Sequence, residues 1–226
     1  MRYSFIVAAA GIGKRMGFDY PKQFFEYQGR PLFLKSVEKI YNNNKVEKIV
    51  VVTNKELIRV VEEEISKYGF SDKCIVTEGG KERQDSIYNG LKLIENSNDM
   101  IVGIHDGVRP FIKDEYIDNA FKILSDRNDI DGVVTAIKVK DTIKIVKDNG
   151  VVEGTPVRDT LMAAQTPQVF RMNVIIKSYE NAYRDNFYGT DDSSLLERYG
   201  KNVVVCEGGY DNIKITTPED LKYLED

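Results

Sequence analysis

The apolar, strand-length run Tyr3 to Ala9 breaks directly into Ala10-Gly11-Ile12-Gly13-Lys14-Arg15-Met16-Gly17, and this junction constrains the fold more than any other stretch. A chain that leaves a buried strand through small residues and glycines brings backbone N–H groups close to one point, where an anion can sit. Lys14 and Arg15 add the charge that glycine lacks, and Lys22 follows Pro21, so a rigid turn presents a further cation near the same strand end. The pattern is neither G-x-G-x-x-G nor G-x-x-x-x-G-K-[ST], which argues against a dinucleotide-binding fold and a Walker-type ATPase. Cations gathered around one glycine loop suit a nucleoside triphosphate, and the chain reads first as a soluble nucleotidyltransferase.

Beyond the loop, apolar runs of strand length alternate with segments of helical period, the pattern of a largely parallel sheet covered by helices. Pro31 opens a helix carrying Leu32, Val37 and Ile40, and Lys48 to Thr53 reads as a strand. Asn54 is a candidate cap for a helix in which Leu57, Val60, Val61 and Ile65 recur at helical spacing, ended by Gly69. Cys74 to Thr77 is a strand, Gly79-Gly80 a tight turn and Arg83 to Glu95 a helix. Met100 to His105 is a fully apolar strand stopped at Asp106-Gly107-Val108-Arg109-Pro110, which leaves charged groups at its C-terminal end, where open parallel sheets bind ligands. After Asp131 the rhythm changes: Gly132 to Val139, Thr142 to Val146, the turn Asn149-Gly150 and Val151-Val152 predict paired strands. Such an excursion is hard to bury within one chain, and it is expected to be an arm that reaches a second copy. Helices follow Asn173 and Thr190, strands are expected at Val203 to Cys206 and Asn212 to Ile215, and Thr217-Pro218-Glu219-Asp220 opens a last helix. One domain over residues 1–226 accommodates all of this.

The 226 residues carry 32 Lys and Arg against 36 Asp and Glu, a net charge of -4 that offers no general attraction to nucleic acid or to an anionic membrane. No apolar run approaches the roughly 20 residues of a membrane span, and Tyr3 to Ala10 reads as a buried strand rather than a signal peptide. Cys74 and Cys206 stand far apart, as two buried, strand-borne thiols of a reduced cytoplasmic protein. With one histidine, His105, and no cysteine cluster, a structural zinc site is disfavoured, so any metal is held by oxygen. Asp106, at a strand end, suits a divalent cation such as Mg²⁺ or a ribose. Arg109 reads equally as its structural partner or as a ligand, Ser86 as a base contact or an ordinary first-turn residue, and His105 as structural.

The motifs A-A-A-G-x-G-x-R-M-G with P-K, G-G-x-x-R-x-x-S, H-D-G-V-R-P-F, V-K-D-T-I-K, R-x-x-L-x-x-x-Q-T-P-Q-x-F, G-T-D-D-S-S-L-L-E and N-I-K-I-T-T-P-E-D-L occur in this order over almost the whole chain. In that combination the sequence resembles the 2-C-methyl-D-erythritol 4-phosphate cytidylyltransferases. The resemblance implies a Rossmann-like α/β fold, a β-arm at about residues 138–158 used in dimerisation, and CTP and a polyol phosphate as substrates with Mg²⁺. It also implies that Arg15, Lys22 and Lys214 are catalytic and that Arg158, Lys214, Thr166 and Thr190 position the polyol phosphate. Ala9, Ala10, Gly11, Gly13, Lys14, Gly80, Ser86 and Asp106 match the nucleotide side, with Asp106 also in the metal region. Val108 stands where alanine is usual, as in the sister ribitol-5-phosphate cytidylyltransferases, and Met162 where an aromatic is common. The alternatives are that sister activity or a nucleotide-sensing module without catalysis.

Overall fold

A computed structural model describes residues 1–11 and 21–224. The strands are β1 (Arg2–Ala9), β2 (Glu26–Tyr27), β3 (Arg30–Pro31), β4 (Val46–Thr53), β5 (Cys74–Glu78), β6 (Met100–Asp106), β7 (Gly132–Lys138), β8 (Ile145–Val146), β9 (Val152–Gly154), β10 (Met162–Arg171) and β11 (Val203–Glu207). The α-helices are α1 (Leu32–Asn42), α2 (Ile58–Lys67), α3 (Arg83–Leu91), α4 (Asp114–Asp126), α5 (Met172–Arg184) and α6 (Asp192–Arg198). The main sheet has the order β11-β7-β10-β6-β1-β4-β5. All its pairings are parallel except those of β10, which runs antiparallel to both β6 and β7. From β1 the chain winds outward to β4 and β5, then crosses back to β6 on β1's other side. The strand order therefore reverses between β1 and β6, and a crevice opens there at the strands' C-terminal ends.

Side-chain alternation along the strands builds two cores, one on each face. Phe5 and Val7 of β1 pack with α1, α2 and α4 through Leu34, Val37, Val61, Ile65, Ile117 and Phe121. Ile6 of β1, with Val50, Val52 and Ile104, faces Ile87, Leu91, Ile175, Tyr179 and Leu195 of α3, α5 and α6. Each such fully buried side chain contributes about 2 kcal/mol, and the bulky ring of Phe5 uses the room left by Gly103, where a Cβ would collide with it.

Three expectations change. Residues 212–215 form no strand; the segment is a strap held by single bonds such as Ile215 N–H to Val108 O at 2.9 Å. The last helix is a 3-10 turn over Pro218–Leu224, with Thr216 and Thr217 N–H donating to Asp220 Oδ2 at 2.7 and 2.8 Å, so the acid at 220 makes the cap. Cys74 is only half-buried, and burial still pushes its thiol up to about 12. One strand was not expected at all: β10, the only antiparallel strand of the main sheet among the described residues. Pro167 lacks the N–H a central strand needs, and it is tolerated because the pairing with β7 slips between Ala164 and Gln168.

Where an arm was expected, the segment leaving β7 forms an exposed hairpin. β8 pairs with β9 around Gly150, whose φ of +83° suits glycine. β7 itself belongs to the main sheet, so the hairpin is shorter than the sequence suggests. No helix among the described residues is long and apolar enough to cross a membrane.

Candidate active site

The crevice is assembled from the ends of parallel strands. Gln23 Nε2 donates to Ala9 O at 2.8 Å, Gly79 N–H to Thr53 O at 2.7 Å and Gly107 N–H to Ala8 O at 3.0 Å, which pins the loops after β1, β5 and β6 to one edge. A Cβ on Gly79 would lie 2.7 Å from Ala10 Cβ and 2.8 Å from Ser86 Oγ, so only glycine lets the turn close against the end of β1. Ser86 Oγ accepts from Gly80 N–H at 3.0 Å and donates to Glu82 O at 3.1 Å. Its proton is thus spent on bracing the glycine turn, and only a lone pair remains for a base. Lys22 begins the short 3-10 turn Lys22–Phe24 and is 8% exposed. Gly13, Lys14 and Arg15 lie outside the described residues.

Beside this edge, a cavity of about 320 Å³ is lined by residues that include Arg83, Asp106, Arg109, Thr166, Thr190 and Lys214. Its centre is electrostatic. Asp106 Oδ2 lies 2.8 Å from Lys214 Nζ and 3.5 Å from Arg109 Nε, and Oδ1 lies 3.5 Å from Arg83 Nε. Burial favours the protonated acid, but Arg83, Lys214 and Arg109 together outweigh it and hold the carboxyl far below the usual carboxylate range. Arg83 in turn donates to Asp192 Oδ2 at 2.8 Å. Arg83, Arg109 and Lys214 thus gather at the cavity and offer N–H donors to an anionic substrate, with their charge offset by Asp106, Asp191 and Asp192.

Asp106 was expected to hold a metal. Among the described residues no cluster of three or more His, Cys, Asp or Glu is present, and the Asp106 oxygens already face cations. Asp191, also at the cavity, accepts from Gln168 Nε2 at 2.7 Å and caps α6. This donor set does not form a closed cage. It fits an ion that arrives on phosphate oxygens and takes one protein carboxylate, the habit of Mg²⁺.

His105 is fully buried, with Nδ1 3.0 Å from Thr166 Oγ1 and Nε2 3.1 Å from Arg109 O. Burial lowers its pKa to about 4, against the pull of the Arg109 carbonyl. Thr166, expected to touch substrate, is 5% exposed and its hydroxyl is occupied by Asp106 N–H and His105. Arg158 lies apart from the cavity: it is exposed on the arm, with Nη1 3.3 Å from Lys140 O.

Arg83 was passed over in the sequence although it stands in the quoted motif. The available signal was electrostatic, since a cation in a helix's first turn opposes the macrodipole and needs another reason to be there. Asn212, which the strap buries completely, was also passed over although it opens the quoted motif N-I-K-I-T-T-P-E-D-L.

Over residues 3–225 the sequence matches the family model described as 2-C-methyl-D-erythritol 4-phosphate cytidylyltransferase. The chain belongs to that family. Proteins so named from Fusobacterium nucleatum and Clostridioides difficile are 45% and 46% identical, over 99% of this chain in each case and 96% and 92% of theirs. Among solved structures, 4-diphosphocytidyl-2C-methyl-D-erythritol synthase from Anaerococcus prevotii superposes with a TM-score of 0.85 at 33% identity, covering 99% of this chain and 94% of the other. The cytidylyltransferase of Francisella tularensis gives 0.84 at 32%, covering 99% and 98%. Neither alternative reading is favoured by these relatives. Val108, the residue that suggested the ribitol enzymes, packs against Leu32 and Ile215 in a small core cluster, so its side chain answers to packing.

Proposed function

We propose that this cytidylyltransferase joins CTP and 2-C-methyl-D-erythritol 4-phosphate, releasing pyrophosphate and forming 4-diphosphocytidyl-2-C-methyl-D-erythritol, a step of non-mevalonate isoprenoid precursor synthesis. The family supplies the substrates; the observation that carries the chemistry is the convergence of Arg83, Arg109 and Lys214 on buried Asp106 beside the glycine edge.

The second pKa of a phosphate monoester lies near 6, so at pH 7 the polyol phosphate is largely dianionic and needs no general base. His105 is unsuited to that task, being enclosed and bonded at both nitrogens. One phosphate oxygen attacks the α-phosphorus of CTP in line, a P–O bond forms, and pyrophosphate leaves with the electrons of the broken bond. The barrier lies in bringing two anions together, which positioned cations lower. In this reading the end of β1, Gly80 and Ser86 seat the nucleotide. Arg15 and Lys22 neutralise the α-phosphate, while Lys214 and Thr190 hold the polyol phosphate and Thr166 holds the frame behind them. Mg²⁺ carried by the triphosphate would meet Asp106 and supply further charge neutralisation.

The arm supports a homodimer. Ile143, Ile145, Val146, Val151, Val152 and Val157 are each more than two-fifths exposed along it, an apolar display that a second copy would cover. Arg158 stands at its foot and in this reading completes the partner's pocket. Mixing Arg158→Ala and Lys22→Ala chains tests the sharing: regained turnover supports it, and none shows each site to be built from one chain. Two free cysteines agree with a cytoplasmic setting.

The substrate assignment is tested by pyrophosphate release with CTP and, in turn, methylerythritol phosphate and ribitol 5-phosphate, repeated with ATP, GTP and UTP. Turnover is expected with the first pair; equal or better turnover with ribitol 5-phosphate rejects the assignment.

A further inference from the structure

Behind the charged residues lies a closed ring of hydrogen bonds. Asn212 Nδ2 donates to Thr166 O at 2.9 Å, Thr166 Oγ1 lies 3.0 Å from His105 Nδ1, His105 Nε2 lies 3.1 Å from Arg109 O, and Arg109 Nη1 donates to Asn212 O at 2.7 Å. The direction at the histidine is fixed by the Arg109 carbonyl, which can only accept, so Nε2 carries the ring proton and donates to Arg109 O. In the neutral ring Nδ1 is then bare and accepts the Thr166 hydroxyl proton, while a lone pair of the same hydroxyl accepts from Asp106 N–H at 3.1 Å. A neutral imidazole in one tautomer is the form that satisfies both neighbours.

Each member is enclosed: His105 and Asn212 are 0% exposed, Thr166 5% and Arg109 9%. The ring joins three segments that are remote in sequence, namely the end of β6 with its following turn, the slipped stretch of β10, and the strap that carries Lys214. No regular ladder unites all three at this point. The strap pairs with no strand, and the β7–β10 register is interrupted at Thr166.

We propose that His105 is a positioning residue of the transfer reaction: through Arg109 and Thr166 it fixes the relative placement of Asp106, Arg109 and Lys214. The proposal rests on the cytidylyl-transfer reading, because the groups it places are those that reading uses. Histidine meets the geometric requirement because one flat ring presents an acceptor to Thr166 and a donor to Arg109 on opposite edges. Asparagine can supply only the acceptor at the Nδ1 position and glutamine only the donor near Nε2, while phenylalanine keeps the shape and supplies neither.

The test compares His105→Phe, His105→Asn and His105→Gln in steady-state kinetics, with circular dichroism to verify the fold. Misplacing reacting groups by about 1 Å costs on the order of 100-fold. His105→Phe is therefore expected to lower kcat by about that factor, while the KM for CTP stays within about threefold, since the glycine edge lies outside the ring. The Asn and Gln variants should each recover a substantial part of the loss. A folded Phe variant with kcat within about threefold of wild type overturns the proposal, as does an equal loss in all three. If the Phe variant does not fold, Thr166→Val and Thr166→Ser decide: Ser keeps the bridging hydroxyl and should retain turnover, Val should not, and equal activity contradicts the ring. His105 is the chain's single histidine, so nitrogen NMR reads its tautomer without ambiguity. A protonated Nε2 with bare Nδ1 at pH 7 is expected, and an imidazolium or the opposite tautomer would overturn the proposal. Absence of turnover in the wild type would defeat the functional reading instead, and the nitrogen spectrum would then judge the ring alone.

Discussion

The crevice at the end of β6 and the arm between β7 and β10 are built on opposite terms. In the crevice the charged groups are paired: Asp106 faces three cations and His105 is bonded at both nitrogens, while Arg109 Nε and Asn212 Oδ1 are buried without a hydrogen bond. On the arm, Val146, Val151, Val152 and Val157 lie more than half exposed, and the hairpin rests on the short pairing of β8 with β9. A lone two-stranded hairpin is marginal in water. The difference separates what the chain closes from what it leaves open: the charges around Asp106 are paired within the chain, and the apolar side chains of the arm stay exposed.

The largest expected effects fall on the crevice. Lys22→Ala, Arg15→Ala or Lys214→Ala should each lower turnover about 100-fold or more with the fold unchanged by circular dichroism. Near-normal rates in any of them would remove that residue from the reaction.

Next comes the pH response of the fold. His105 has a folded pKa of about 4 against an unfolded value near 6.5, so the unfolded chain binds the extra proton between these limits. Its contribution is whole above pH 6.5 and is lost as pH falls toward 4, by about 3 kcal/mol. Denaturant titrations across that window should show this acid loss in wild type and not in His105→Phe; parallel curves would refute it.

Asp106→Asn leaves three cations converging on a neutral amide. Two of them, Arg83 and Lys214, are about one-third exposed and screened by solvent, so the cost in stability should be about 2 kcal/mol, below that of breaking a fully buried pair. A variant as stable as wild type would mean that the cations do not need their carboxylate.

The smallest change in chain stability is expected on the arm. Val146→Ser with Val152→Ser should alter unfolding of the isolated chain by less than about 0.5 kcal/mol, yet shift sedimentation from dimer toward monomer. An unchanged sedimentation profile would reject the arm as the interface.

The same contrast explains what could be read in the sequence. Elements whose side chains answer to one periodic rule were legible: β1, β4 and β6 as apolar runs, α1 and α2 as helical stripes, and the Asn149-Gly150 turn. The charged edge was legible too, because glycines, Lys22 and Asp106 carry their chemistry in their types. What escaped depended on distant partners. β10 carries a proline that local rules exclude from a central strand, and it is rescued by a slipped register with β7. Arg83 gains its role from Asp106 and Asp192, which lie far along the chain. Asn212 sits in a strap with no regular structure, and only the folded chain shows its amide joined to Thr166.

The most direct test of the central claim is phosphorus NMR of the purified protein with CTP, 2-C-methyl-D-erythritol 4-phosphate and Mg²⁺. Cytidylyl transfer predicts that the monoester signal and the triphosphate signals fall together, while a coupled diphosphate pair and free pyrophosphate rise in equal amounts, and only when both substrates are present. Pyrophosphate formed with CTP alone, or a monoester signal that persists while CTP is consumed, would contradict it.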